Sequence, residues 1–280
     1  MLHLITGEAG TGKSSLLRKR MAAAAGNGRD AVLFVPDQFS FEAEKLLYRT
    51  IPHDLSRHCR VAMFSREAQR ILRLHGETKE YADDIAKHIA MKRALEECAS
   101  DGALLYYRSQ TAKRGFPAFA LGMVGDMRGA GISPSELRER LASDEQISDT
   151  LYDKLNDISL IYSAYDRILC ANFDDKLDDV RRAAEIVLNS DIYDGCEVFF
   201  DEFDRFSGSQ LGFIRALLDK AADVTVALTC DYPDCRERKF DAVNRLAAKL
   251  AGDDESEVTR LTEKFRRCGE LHITEARDMW

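Results

Sequence analysis

Short apolar runs alternate with helically spaced segments along the first part of the chain, and the alternation returns near the end. Runs rich in Val, Ile, Leu and Phe are typical of strands that are buried on both faces of a parallel sheet. Such runs occupy residues 2–5, 31–35, 60–64, 197–200 and 224–228, and a last strand is expected to begin at Leu271. Helical spacing follows each of the early runs. The pattern therefore predicts an α/β fold with a parallel sheet flanked by helices.

Residues 79–190 carry helical patterns and no strand pattern. Apolar side chains recur at helical spacing from Leu151 to Cys170, and Ser133 followed by Pro134 predicts another helix start. This stretch is typical of an all-helical insertion. We expect a discontinuous α/β domain of residues 1–78 and 191–280, with residues 79–190 inserted into it.

The segment between the first apolar run and the first helix fits the phosphate-binding loop pattern G-x-x-x-x-G-K-[ST]. Its glycines permit backbone angles that turn successive N–H groups toward phosphate oxygens at a helix N-terminus. Lys13 is expected to reach the β- and γ-phosphates, and the Ser14 hydroxyl is expected to hold Mg²⁺. The predicted cofactors are ATP and Mg²⁺, bound by Gly7, Gly10, Thr11, Gly12, Lys13, Ser14 and Ser15.

The apolar run at residues 197–200 ends in Asp201 and Glu202. A phosphate loop needs such a strand end as its partner, with Asp201 holding Mg²⁺ and Glu202 activating the attacking water. Lys13, Asp201 and Glu202 are therefore the candidate catalytic residues. The alternative is that both carboxylates are merely solvated beside Asp204.

Composition narrows the class of protein. The 280 residues are 45% hydrophobic, and no apolar run approaches the roughly 18 residues of a membrane span. The seven cysteines are scattered, as expected for reduced thiols in a cytoplasmic protein with no metal site built from them. A net charge of −8 argues against a broad basic surface for nucleic acid, although a local one remains open.

The segment around the acidic strand end resembles motifs II and III of superfamily 1 helicases. The resemblance rests on residues 200–204, Gln210, residues 224–228 and Asp231. In that family a glutamine after the second of these strands senses the γ-phosphate. Residues 229–234 contain no glutamine here, which puts the coupling of hydrolysis to motion in doubt.

A wider resemblance links the chain to the N-terminal region of the B subunit of bacterial AddAB-type helicase–nucleases. It is carried by the phosphate loop, VPDQFSFEAE at 35–44, VAMFSR at 61–66, GISP at 131–134, LIY at 160–162 and DEF at 201–203. The resemblance implies a helicase-like ATP-binding core with a helical insertion. It also implies a heterodimer with the A subunit that processes double-strand DNA ends for repair.

The same resemblance assigns further residues. Gln38, Ser40 and Phe41 match positions at which superfamily 1 helicases contact single-stranded DNA, and an aromatic ring there can stack on a base. The alternative is that Phe39 and Phe41 pack at the helix entry. Arg266 matches, faintly, the arginine that meets the γ-phosphate.

Three functions remain open at this point. The first is an ATP- and Mg²⁺-binding domain of a repair helicase–nuclease, present here as a fragment that hydrolyses ATP slowly at best. The second is a small P-loop kinase in which Asp201 activates a substrate hydroxyl. The third is a degenerate P-loop module that serves as a scaffold.

Overall fold

The computed structural model describes residues 1–76, 80–143, 147–252 and 256–263. Within these residues, six parallel strands form one sheet in the order β3-β2-β4-β5-β1-β6. The strands are β1 (Leu2–Gly7), β2 (Ala31–Phe34), β3 (Cys59–Ala62), β4 (Glu197–Phe200), β5 (Asp223–Thr229) and β6 (Ser256–Leu261). The strands expected near residues 2, 31, 60, 197 and 224 all lie in this sheet, which confirms the α/β prediction.

Helices cover both faces of the sheet. On one face, α1 (Lys13–Gly26) and α2 (Ser40–Thr50) bury side chains against alternate strand residues such as Ile5 and Leu33. On the other face lie α3 (Phe64–Leu74), α8 (Asp179–Leu188), α9 (Gly208–Lys220) and α10 (Asp241–Ala251). The central strands are therefore buried on both sides, which explains their continuous apolar runs.

Between α3 and β4 the described chain contains helices and no strand of the sheet. The first four α-helices there are α4 (Asp84–Ser100), α5 (Phe116–Gly129), α6 (Pro134–Ser143) and α7 (Asp149–Cys170), and three of them share a core that includes Met91, Val124 and Tyr165. The Ser133 hydroxyl accepts a hydrogen bond from the Glu136 amide at 3.2 Å, as expected for the start of α6. Among the described residues, no helix is both long and apolar enough to cross a membrane.

The last of these helices, α8, belongs to the sheet by its packing. It lies against α3 and α9 and supplies Ala183 and Val187 to the sheet core. The division of the chain at residues 78 and 190 stays a prediction. By its packing, α8 groups with the helices that cover the sheet.

The edge strand β6 was not predicted from the sequence. Its residues are either half-buried, as at Ser256, or exposed, as at Glu257, because β6 pairs with β1 on one side and lies at the edge of the described sheet. An edge strand lacks the apolar run that marks a central one. The strand expected at Leu271 lies outside the described residues.

A close backbone contact joins the end of α5 to the N-terminus of α9. A Cβ atom on Gly208 would clash with the Ala130 carbonyl oxygen, and Gly131 has a φ of +75° beside Ser209. The Ser209 hydroxyl donates to the carbonyl oxygen of Arg128, on α5, at 3.4 Å. Helix α5 is therefore packed against the helix that follows the acidic end of β4.

Candidate nucleotide-binding site

The segment between β1 and α1 has the backbone geometry of a phosphate-binding loop. Gly10 and Gly12 have φ values of 84° and 85°, which favour glycine. Gly7 is constrained differently, because a Cβ atom there would lie 2.6 Å from Thr11 Oγ1 and 2.7 Å from the Leu261 carbonyl oxygen. The loop leads directly into α1, so its amides and the helix N-terminus face the same space.

Side chains within the loop hold it together. Thr11 Oγ1 donates a hydrogen bond to the Glu8 carbonyl oxygen at 2.9 Å. Lys13 Nζ donates to the carbonyl oxygens of Gly7 and Glu8, both at 2.9 Å. Burial lowers the pKa of Lys13, while the nearby carboxylates of Asp201 and Glu202 oppose that change. Lys13 is thus a buried cation at the loop, close to both acidic residues.

Asp201 lies immediately after β4 and is buried beside the start of α1. Its carboxylate accepts a hydrogen bond from the Glu202 amide at 3.0 Å. Burial raises the pKa of Asp201 to about 6, although an interaction with the Ser14 side chain acts in the opposite direction. The structure therefore brings the two predicted metal-binding residues together at the wall of one cavity.

The donor set at this contact fits Mg²⁺. Magnesium prefers hard oxygen ligands and is usually held by one or two protein oxygens together with phosphates and water. The Ser14 hydroxyl and the Asp201 carboxylate are such oxygens, and they lie next to the loop that would hold phosphates. A cation here would also stabilise the charged form of a carboxylate that burial disfavours.

Glu202 differs from its neighbour in backbone and exposure. It is exposed at the mouth of the site and has a φ of 64°, which is uncommon for a residue other than glycine. Asp204 is exposed as well, but it lies outside the cavity lining and is ion-paired with Arg205. Asp201 and Glu202 thus differ from Asp204 in lining the cavity and in acting electrostatically on Lys13.

A cavity of about 700 Å³ opens beside the loop and unites these residues. Its polar wall contains Gly10, Gly12, Lys13, Ser14, Ser15, Asp201, Glu202 and Thr229. Its apolar wall comes from β2 and α2 and contains Leu33, Val35, Phe39, Ala43 and Leu46. The volume lies within the range of small-molecule and cofactor sites.

Arg18 also lines this cavity, and the sequence motifs did not identify it. It lies one helical turn beyond Ser14 on α1, donates a hydrogen bond to Ser15 Oγ at 3.3 Å and acts electrostatically on Asp201. Helical periodicity from Ser14 could have identified it, because residues i and i+4 share a face.

The predicted DNA-contacting residues lie at the start of α2, outside the cavity lining. Gln38 and Phe41 are exposed, and Ser40 Oγ donates to the Asp37 carbonyl oxygen at 2.9 Å. Phe41 is 73% exposed, so it does not pack at the helix entry, whereas Phe39 lines the cavity. Arg266 lies outside the described residues.

Gln210 has a structural partner. Its side chain accepts a hydrogen bond from the Ser207 amide at 2.8 Å, and its own amide donates to Ser207 Oγ at 3.2 Å. This reciprocal pair is a capping box at the N-terminus of α9. It fixes the helix that follows the Asp201–Ser207 loop.

Comparison with known proteins agrees with this geometry. A family described as "ADDB, N-terminal" matches residues 4–268. The chain belongs to this family. The expectation drawn from the phosphate loop and the VPDQFSFEAE stretch is therefore confirmed at the level of family.

Curated relatives are named as the B subunit of an ATP-dependent helicase/deoxyribonuclease. The protein from Clostridium kluyveri is 31% identical over 235 residues, which cover 82% of this chain and 20% of the relative. The protein from Clostridium acetobutylicum is 30% identical and that from Listeria innocua 29% identical, with 82% and 83% of this chain covered. The chain spans about a fifth of the length of these relatives.

The buried carboxylate of Asp201 makes a prediction about stability and pH. Because its pKa rises from 3.8 to about 6 on folding, wild-type stability should fall as the pH rises through that range. Asp201→Asn removes this pH-dependent loss of stability. The free energy of unfolding of the variant should exceed that of wild type by a margin that grows from about pH 4 to pH 6. The margin should then level off at no more than about 3 kcal/mol.

Urea unfolding in EDTA across that pH range measures the effect. The matched control is Asp204→Asn, which changes an exposed carboxylate three residues away. An Asp201→Asn variant that is no more stable than wild type at pH 7 would contradict the electrostatic description of the site.

Proposed function

We propose that this chain binds ATP with Mg²⁺ at the loop between β1 and α1 and forms the nucleotide-binding core of a helicase-like domain. The observation that carries the proposal is the interaction between the Ser14 and Asp201 side chains at the wall of the cavity, beside buried Lys13. It joins the loop expected to hold phosphates to the strand end expected to hold the metal. Membership of the AddB N-terminal family supports the same assignment.

Each residue has a distinct part in the proposal. The loop amides and Lys13 bind the β- and γ-phosphates, and Ser14 and Asp201 hold Mg²⁺. When bound, Mg²⁺ would neutralise charge that develops on the phosphate oxygens. Glu202 orients a water molecule and takes its proton. Arg18 supplies a second positive charge on the α1 side of the cavity.

The wider role is inferred from the relatives. Their name describes one subunit of an ATP-dependent helicase/deoxyribonuclease. We propose that this chain forms part of such a subunit and acts in double-strand-break repair. In that role it would pair with an A subunit and contact single-stranded DNA through Gln38, Ser40 and Phe41. The exposure of Gln38 and Phe41 near the cavity supports this contact.

Loss of the loop lysine should weaken nucleotide binding. Lys13→Ala deletes a charge-assisted phosphate contact, worth about 1.5–3 kcal/mol, so affinity for Mg-ATP should fall by roughly 10- to 150-fold. Titration calorimetry measures the loss. Lys19→Ala, an exposed lysine on the same helix, is the control and should bind as wild type does. The proposal would be refuted if wild type failed to bind ATP at millimolar concentration. It would also be refuted if Lys13→Ala bound ATP as tightly as Lys19→Ala.

Hydrolysis should be slow even when ATP binds. Among the described residues that line the cavity, Arg18 is the only arginine. It lies on the same side of the cavity as the phosphate-binding loop. An arginine that reaches the γ-phosphate from the opposite side contributes roughly 10³–10⁵ to the rate in other nucleotide hydrolases. Thr229 occupies the strand end at which the helicase pattern has glutamine.

A phosphate-release assay with ATP, Mg²⁺ and single-stranded DNA tests this expectation. Turnover should remain far below one per second with or without DNA, and Glu202→Gln should lower it further. Rapid DNA-stimulated turnover that Glu202→Gln abolishes would show that the chain carries a complete motor.

A further inference from the structure

Side chains of β4 alternate between the two faces of the sheet. Phe199 belongs to the core under α1 and α2, and Phe200 belongs to the core under α3 and α9. Successive side chains of an extended strand point to opposite faces. Asp201 continues the alternation, because it lines the cavity beside α1. If the strand continued in the same way, the side chain of Glu202 would lie on the α3 side, away from the cavity.

The backbone at Glu202 reverses this alternation. Its φ of 64° lies in the left-handed region, which is uncommon for a residue other than glycine. Glu202 lines the cavity together with Asp201, whereas Phe203 is buried in the same core as Phe200. The cavity therefore receives two adjacent carboxylates that an extended strand would place on opposite faces of the sheet.

Two contacts hold the reversed backbone, one on each side of Glu202. On one side, the Asp201 carboxylate accepts a hydrogen bond from the Glu202 amide at 3.0 Å. On the other side, the ring of Phe203 is 9% exposed, and its centroid lies 4.8 Å from that of Phe206 and 5.7 Å from that of Phe64. A left-handed residue carries an energetic cost and persists only where its surroundings impose it. The buried ring of Phe203 is such a constraint.

We propose that Phe203 is a positioning residue for ATP hydrolysis, because burial of its ring holds the backbone that presents the Glu202 carboxylate to the cavity. The proposal rests on the proposed function, in which Glu202 orients the attacking water. If Phe203 left the aromatic core, the backbone at Glu202 would be free to become extended and to turn the carboxylate away from Lys13. Phe203 thus acts through Glu202 and has no part in holding phosphate or Mg²⁺.

Substitutions at Glu202 test the backbone in the absence of nucleotide. Glycine adopts a positive φ without steric cost, and alanine does not. Glu202→Gly should therefore unfold at a higher urea concentration than Glu202→Ala. The order should reverse at Asp204, which has no positive φ, because glycine loses more conformational freedom on folding. If Glu202→Ala were at least as stable as Glu202→Gly, the proposal would be overturned.

Phosphate release in a single turnover, with the chain in excess over ATP, tests the positioning role. Phe203→Leu should lower the rate by roughly tenfold, since a small misplacement of a reacting group is costly. Its affinity for Mg-ATP in calorimetry should not change. Phe213→Leu is the matched control, because that ring is 1% exposed in the same aromatic core but does not adjoin Glu202. The control should leave the rate unchanged.

A Glu202→Gln background separates positioning from a general structural role. If Phe203 acts only through the Glu202 carboxylate, adding Phe203→Leu to Glu202→Gln should lower the rate no further. An equal loss of rate in both backgrounds would overturn the proposal, as would a loss of Mg-ATP affinity in Phe203→Leu.

Calorimetry on the same samples distinguishes the two proposals. Failure of wild type to bind Mg-ATP would refute the proposed function and this role with it. Normal binding, with equal rates in Phe203→Leu and Phe213→Leu, would overturn the positioning role alone.

Discussion

Parallel strands end at the same edge of a sheet, and this constraint brings the phosphate loop and the acidic end of β4 together. One strand, β5, lies between β1 and β4, so the two ends are about 10 Å apart at roughly 4.8 Å per strand. The first turn of α1 bridges this interval, because the side chains of Ser14 and Asp201 interact at the wall of the cavity there. The cavity, the burial of Lys13 and the positions of the candidate ligands all follow from that arrangement.

The site is held on rigid elements, yet its charges oppose folding. Behind Asp201, the ring of Phe200 stacks on Phe34 at 5.0 Å and on Phe64 at 5.8 Å. The Gly208–Ala130 contact fixes the helix that follows. Against this support, burial disfavours the charged forms of both Lys13 and Asp201. Bound phosphate and Mg²⁺ would relieve both costs, which is the balance expected when a site is kept for function.

Sequence patterns predicted most of the sheet and the loop, and their failures have physical causes. The runs in β1, β2, β4 and β5 are apolar because both faces of these strands are buried, and these continuous apolar runs identified them. The edge strand β6 is half exposed and polar, so the same signal was absent. For Phe41, helical spacing did not distinguish packing at the helix entry from stacking on a base. The exposure of its side chain depends on which side of α2 packs against the sheet, and spacing alone does not determine that side. The positive φ of Glu202 is set by the tertiary structure and has no signal in a single sequence.

A double-mutant cycle between Ser14 and Asp201 tests the central claim most directly. Ser14→Ala, Asp201→Asn and the double variant are compared with wild type by titration calorimetry with ADP and Mg²⁺. If both side chains serve one metal site, the losses in binding free energy should be non-additive by about 1 kcal/mol or more. Losses that add within about 0.5 kcal/mol would show that the two residues act independently and would contradict a shared site.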